Sequence, residues 1–108
     1  KLPTEYTLCQ NYPNPFNPST TIKYEIPGQA RNDNTFVTLK VYDILGREVT
    51  TLVNKQQKPG YYEVKWNSLS ASGGHSVSSG IYFYQLKVYS ARGEAGLFVQ
   101  SKKLMLMK

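Results

Sequence analysis

Hydrophobic and polar residues alternate over several short stretches of the chain, and a period of two is typical of a β-strand with one buried face. In the stretch 20–26, for example, Ile22, Tyr24 and Ile26 alternate with hydrophilic residues. No stretch shows the period of an amphipathic helix. The alternation predicts seven strands, of which the last is continuous or split in two: 6–9, 20–26, 35–42, 47–53, 61–66, 80–89 and 94–107.

Strands of this length, separated by turns every eight to twelve residues, are typical of two antiparallel sheets packed face to face. We therefore predict an all-β fold, an antiparallel immunoglobulin-like β-sandwich of about seven strands. The single cysteine, Cys9, excludes the paired cysteines of antibody domains, so the core must be held by packing, with Trp66 at its centre. The residues predicted to face inward are Ile22, Tyr24, Ile26, Val37, Leu39, Val41, Tyr62, Val64, Trp66, Tyr82, Tyr84, Leu86 and Val88.

Turn residues separate these strands. Asp43 and Gly46 predict a hairpin turn between the third and fourth strands, in which Gly46 takes the left-handed conformation. Polar residues predict an exposed loop at 29–34 and a turn at 55–60. The Ser- and Gly-rich stretch 67–80, which includes Gly73 and Gly74, predicts a mobile loop.

Residues 10–18 contain three prolines, Pro13, Pro15 and Pro18, and can form neither a helix nor a central strand. We expect a stiff, polyproline-like ribbon that Tyr12 and Phe16 anchor to the body and that covers an edge of a sheet. The same residues formally match the P-x-x-P ligands of SH3 domains, but packing is the better use of the two rings. We divide the single domain 1–108 into a strand plus ribbon (1–18) and a β-sandwich body (19–108).

Composition narrows the possible functions. The 108 residues suit one domain, and no apolar run is long enough to span a bilayer, so we expect no membrane insertion. The net charge of +6 is dispersed along the chain and suits either solvated strands or an anionic surface. Cys9 is expected to be a buried, inert thiol, since the only histidine, His75, lies far along the chain. We predict neither catalysis nor a cofactor or metal site.

Three functions are compatible with these strands. The rings of Tyr61, Tyr62, Tyr82, Phe83 and Tyr84 could form a platform for sugars, as in a carbohydrate-binding or structural Ig-like accessory module of a secreted glycoside hydrolase, although alternation turns about half of them inward. Nucleic acid is less favoured, because no RNP-type motif accompanies the basic charge. A plain immunoglobulin-like spacer remains open.

Five ordered blocks follow the opening motif Gln10–Ile22 and extend the pattern over almost the whole chain. These blocks are Thr21–Pro27, Val41–Val49, Pro59–Trp66, Ser79–Leu86 and Lys102–Lys108. Together they resemble the type A family of C-terminal sorting domains of the type IX secretion system (the Por secretion system). The start of the chain, which has neither a methionine nor a secretory signal, suggests a domain excised from a larger secreted protein.

The resemblance implies a domain that directs an N-terminal cargo protein from the periplasm across the outer membrane of a Bacteroidetes-like bacterium, to the medium or the cell surface. It implies outer-membrane shuttle and sortase proteins of the type IX translocon as partners, with possible cleavage and attachment to lipopolysaccharide. The candidate recognition residues are Arg47 in the hairpin and Lys103, Leu104, Leu106 and Lys108 on a final strand free to pair with a receptor. Residues of the motifs expected to act in folding are Pro13, Pro15, Phe16, Pro18, Gly46, Gly60, Trp66, Gly80 and Tyr82.

Overall fold

A computed structural model describes residues 1–28, 35–70, 77–90 and 96–107. These residues form seven β-strands and one short 3₁₀-helix, Ser68–Ser70. The strands are β1 (Thr7–Leu8), β2 (Ser19–Ile26), β3 (Thr35–Tyr42), β4 (Glu48–Gln57), β5 (Gly60–Asn67), β6 (Gly80–Ser90) and β7 (Gly96–Leu106). No helix among the described residues has the length and apolar character needed to cross a membrane.

All strand pairs are antiparallel and form two sheets, one with the order β1-β2-β5 and one with the order β4-β3-β6-β7. The two sheets bury their apolar faces against each other, which confirms the predicted immunoglobulin-like β-sandwich. At one end, which we call the Trp66 end, β2 and β6 begin and β3, β5 and β7 finish. At the other, the Gly60 end, β2 and β6 finish and β5 begins.

The core contains the residues that the alternation turned inward. Ile22 and Val37 are fully buried, and Trp66 is 3% exposed. Of the thirteen residues predicted to face inward, only Tyr62 and Val64 are half-buried, and both belong to the edge strand β5. The ring of Tyr62 nevertheless stacks on that of Tyr24, with 5.4 Å between the ring centroids.

The fourth strand is longer than the sequence indicated. It continues to Gln57, where the sequence predicted a turn at 55–60, and its last residues pair in register with the first half of β3. The polar side chains are tolerated because β4 is an edge strand. Gln57 also accepts a hydrogen bond of 2.6 Å from the buried Tyr24 hydroxyl, which fixes this part of the strand.

The proline-rich ribbon uses only one of its two aromatic rings as an anchor. Phe16 is 2% exposed, but Tyr12 is 80% exposed, so the prediction for Tyr12 was wrong. The backbone of Tyr12 pairs with Thr21, and paired residues direct their side chains to the same face of a sheet. Since the neighbouring positions Thr20 and Ile22 are buried, that face is the outer one. Bends at 13–15 and 17–18 replace the expected extended ribbon.

Tyr84 connects the N-terminal segment to the larger sheet. Its buried hydroxyl donates to the carbonyl of Cys9 (2.7 Å) and accepts from the backbone N–H of Asn11 (2.9 Å). Burial raises the pKa of Tyr84 to about 12, and burial likewise raises that of Tyr24 to about 12. Cys9 itself is half-buried rather than in the core, since it lies at the end of a two-residue strand.

Several sequence predictions lie outside the described residues. These are the loop at 29–34, the Gly73–Gly74 turn with His75, and the start of the last strand at 94–95.

We expect Trp66→Ala to lower the free energy of unfolding by about 3–5 kcal/mol, because it removes the indole that contacts Phe16 and Tyr82 in the core. Trp66→Phe should cost less, since the buried Nε1 has no hydrogen-bond partner among the described residues. Urea denaturation measures both values. Tyr61→Ala, on the same strand but 62% exposed, is the matched control and should change stability by less than about 0.5 kcal/mol.

Tyr84→Phe should cost about 1–2 kcal/mol at pH 7 through its lost hydrogen bonds, and the cost should shrink above pH 10. The folded pKa of Tyr84 lies above the unfolded value of 10.0, so its contribution is complete below pH 10 and is lost as the pH rises towards 12. Urea denaturation at pH 7, 10 and 11 compares the two proteins, with Tyr61→Phe as control. A cost independent of pH would contradict this account.

Candidate functional site

The ribbon closes the second half of the outer edge of β7. The N–H of Phe16 donates to the carbonyl of Met105, and the N–H of Met107 donates to the carbonyl of Phe16, both at 3.0 Å. Asn14 Oδ1 accepts from the N–H of Met105 (3.0 Å). Gln10 Nε2 donates to the carbonyl of Lys103, two residues earlier on β7 (2.8 Å). The backbone groups that a receptor strand would need at this point are therefore already paired.

An aromatic cluster fastens the ribbon to the Trp66 end. The Phe16 ring lies 5.5 Å from that of Trp66, and Trp66 lies 6.0 Å from Tyr82 in an edge-on arrangement. Such tilted and edge-on pairs are favoured by the quadrupoles of the rings. The Tyr82 hydroxyl donates to the carbonyl of Ser78 (2.6 Å), so the cluster also holds the segment that leads into β6.

Two polar side chains that were not among the predicted site residues complete this attachment. Thr20 Oγ1 donates to the carbonyl of Pro13 (2.9 Å), and Asn11 Nδ2 donates to Thr20 Oγ1 (3.0 Å). Both side chains are buried. Because proline lacks an N–H, a proline-rich segment cannot form a regular ladder, and its carbonyls need side-chain donors. Polar residues beside the prolines were the signal that could have identified Asn11 and Thr20.

A groove of about 480 Å³ opens beside this cluster, between the β3–β4 turn and residues 77–82. Two large apolar side chains on its turn side are exposed, Ile44 by 68% and Leu45 by 73%, and Ile81 on the facing wall by 37%. An apolar, open surface of this kind suits contact with another macromolecule better than it suits catalysis on a small molecule.

Asp43 and Arg47 make the turn rigid. The carboxylate of Asp43 accepts hydrogen bonds from the backbone N–H groups of Leu45 and Arg47, both at 2.9 Å, and from Arg47 Nε at 2.8 Å. The hydrogen bond from the Arg47 backbone is the largest influence that lowers the pKa of Asp43. Gly46 has a φ of +84°, as predicted for this turn, and a side chain there would be strained by conformation rather than by lack of space.

The candidate recognition residues divide into three groups. Arg47 and Lys103 are exposed, and Arg47 lines the groove together with Gly80 and Tyr82. Leu104 and Leu106 are fully buried and pair with Tyr82 and Gly80, so their side chains cannot contact a receptor in the folded domain. Alternation along β7 is the physical reason, and it corrects the expectation of an apolar receptor-binding edge. Lys108 lies outside the described residues.

The structure also shows the positions of the motif residues that were expected to act in folding. Pro13 and Pro15 are exposed, while the carbonyl of Pro18 accepts from the N–H of Ser68 (2.9 Å). Gly60 lies at the far end, opposite Ile26.

The five aromatic residues considered as a sugar platform do not share one surface. Tyr82 and Tyr84 are buried and Tyr62 is half-buried. The two exposed rings lie on different sheets, Tyr61 on β5 and Phe83 on β6. These five rings therefore cannot form one flat surface for a sugar chain.

Within the described ranges, no three His, Cys, Asp or Glu side chains lie close enough to hold a metal ion. The expectation that the chain is not an enzyme stays a prediction.

The sequence of residues 18–94 matches the FlgD Ig-like domain family. No curated protein matches the chain. Among solved structures, the chain is similar to part of dimeric latent PorU from Porphyromonas gingivalis, with 23% identity and a TM-score of 0.66, over 95% of this chain and 9% of that one. CopC from Methylosinus trichosporium OB3b is a more distant likeness, with 12% identity and a TM-score of 0.45, over 94% of this chain and 91% of that one.

The likeness to PorU shows the fold alone, and this chain spans only about a tenth of the PorU chain. The family match covers residues 18–94, from the end of the ribbon through β6, and includes the turn, Trp66 and the groove. The chain belongs to the FlgD Ig-like domain family.

Proposed function

We propose that this domain is a C-terminal sorting domain, which directs an attached cargo protein across the outer membrane by the type IX secretion system. The FlgD Ig-like family defines the fold and leaves the function open. The proposal depends on the ordered sequence motifs and on where the structure places them. The likeness to PorU, at 23% identity, supports only the fold.

The observation that carries the proposal is the convergence of motif residues at the Trp66 end. Phe16, Arg47, Trp66, Tyr82 and Leu106 come from five separate segments of the sequence. Ring contacts join Phe16, Trp66 and Tyr82, and strand pairing adds Leu106. The groove adds Arg47. Four of these side chains are buried in the core, and Arg47 alone is exposed. The buried four support the walls of the groove beside them, which supplies the rigid, composite surface that a receptor would need.

The first residues of the chain lie at the Gly60 end, which would keep a cargo protein away from this surface. The N–H of Gly28, just after β2, donates to the carbonyl of Pro3 (3.2 Å), and Thr7 pairs with Glu25. The eight-residue strand β2 separates the two ends by roughly 25 Å. A domain attached before residue 1 would thus project from one end and leave the groove free at the other.

The groove is the part of this surface best suited to recognition. Ile44 and Leu45 present apolar area on a turn that the Asp43–Arg47 pair holds rigid, so binding would cost little conformational entropy. The partners we propose are the outer-membrane shuttle and sortase proteins. Cleavage and attachment to lipopolysaccharide would be performed by the sortase, and the cargo would reach the medium or the cell surface.

An export assay tests the proposal. Residues 1–108 are fused behind a periplasmic reporter in a host with an active type IX system, and reporter outside the cell is measured. Ile44→Asp combined with Leu45→Asp should reduce export at least about tenfold, because charge replaces apolar contact area. Both side chains are exposed, so the thermal midpoint of the purified domain should remain close to that of the wild type.

Phe36→Asp supplies the matched control, since Phe36 is an exposed apolar residue at the opposite end of the larger sheet. It should be exported normally. Equal export of the groove variant and the wild type would contradict the proposal.

Lys103 tests the contribution of the last strand without unfolding it. Deleting 103–108 removes Leu104 and Leu106 from the core, at about 2–5 kcal/mol each, so loss of export would only report loss of the fold. Lys103→Glu changes an exposed side chain and leaves both leucines in place. We expect lower export for Lys103→Glu than for Lys87→Glu, which reverses a charge further along the paired strand β6. Equal export would assign Lys103 no part in recognition.

A further inference from the structure

The outer face of the three-stranded sheet carries two adjoining hollows of about 370 and 350 Å³. Lys23 and Glu63, which face each other across β2 and β5, line both hollows. Tyr12 lines one hollow and Tyr61 the other. We call this surface the tyrosine trough: Tyr12, Lys23, Glu63 and Tyr61.

Strand register places the two tyrosines on the same face. Tyr12 pairs with Thr21, and Tyr61 pairs with Glu25, four residues further along β2. Both partners belong to the set of β2 side chains that alternates with the buried ones. Four residues along the strand and two strand spacings across it separate the two backbone positions by roughly 16 Å. This distance is comparable to the length of three hexose units in an extended glycan.

Tyr12 and Tyr61 carry the two most exposed aromatic rings among the described residues. Tyr12 is 80% exposed and Tyr61 is 62% exposed, although Phe16 and Tyr62, their neighbours in sequence, are used by the fold. A flat ring in water offers an apolar surface whose natural counterpart is the apolar side of a pyranose. Between the rings, the Lys23 ammonium donates hydrogen bonds and the Glu63 carboxylate accepts them, which suits sugar hydroxyls.

The charge of this face indicates the kind of ligand. The chain as a whole carries +6, but the outer positions of β2 and β5 hold two lysines and two glutamates, which cancel. These are Lys23, Lys65, Glu25 and Glu63. A polyanion such as nucleic acid or an acidic polysaccharide would gain little here from electrostatics. A neutral, hydroxyl-rich oligosaccharide would meet no net charge on this face.

We infer that the tyrosine trough binds a neutral oligosaccharide, with Tyr12 and Tyr61 stacked on sugar rings about three units apart and Lys23 and Glu63 bonded to hydroxyls between them. The inference is independent of the proposed export function, because it uses the outer face of the smaller sheet and no residue of the groove. It differs from the excluded platform in pairing Tyr61 with Tyr12 across one sheet.

Titration calorimetry with cellohexaose, xylohexaose, laminarihexaose and chitohexaose tests the inference on the intact 108-residue domain. We expect saturable binding of at least one of them with a Kd below about 1 mM. Tyr12→Ala and Tyr61→Ala should each weaken it about tenfold, since each removes one stacking surface. Phe83→Ala removes a half-exposed ring from the other sheet and should leave the affinity unchanged.

Amide chemical shifts of the wild-type protein locate the site without any substitution. On adding the hexasaccharide, the largest shifts should fall on Thr21, Lys23, Tyr61 and Glu63, and those of Gly46 and Arg47 should not move. Absence of saturable binding with all four sugars overturns the inference, as do shifts centred on the groove. Shifts of the trough that depend on protein concentration without sugar also overturn it, since they would assign the face to a second copy of the chain.

Discussion

The pairing of Phe16 with the last strand is the interaction on which the rest of this structure depends. Two backbone hydrogen bonds join Phe16 to Met105 and Met107, and the Phe16 ring enters the core beside Trp66. A β-sandwich whose final strand lies at a sheet edge would otherwise expose that edge. The ribbon therefore protects the edge and at the same time brings the beginning and the end of the chain into one unit.

This closure changes what a sorting signal in such a domain can be. Residues 104–107 do not form a free linear tag, because Leu104 and Leu106 lie in the core and the outer backbone groups of 105 and 107 are paired. A receptor that recognises the folded domain would contact side chains gathered from distant segments of the sequence. In that case folding precedes recognition, and an unfolded or truncated domain would fail for a reason unrelated to its contact residues.

The two broad surfaces of the sandwich have different chemistry, and each follows from strand alternation together with register. On the larger sheet, Ile81 and Phe83 lie near the Trp66 end and give it an apolar outer surface. On the smaller sheet, two lysines and two glutamates give a neutral polar surface bordered by Tyr12 and Tyr61. The groove and the tyrosine trough therefore share no residues.

The sequence by itself determined the strands, the fold class and most of the core, because a period of two states directly which side chains are buried. It also predicted Trp66 in the core and Gly46 in its turn. Only the tertiary structure decided that Tyr12 is exposed although Phe16 is buried, that β4 continues to Gln57, and that Leu104 and Leu106 face inward. These outcomes depend on which backbone each segment pairs with: the ribbon pairs with β7, ninety positions away, and Gln57, Leu104 and Leu106 pair with residues more than twenty positions away. Pairing between such distant residues leaves no local pattern in the sequence.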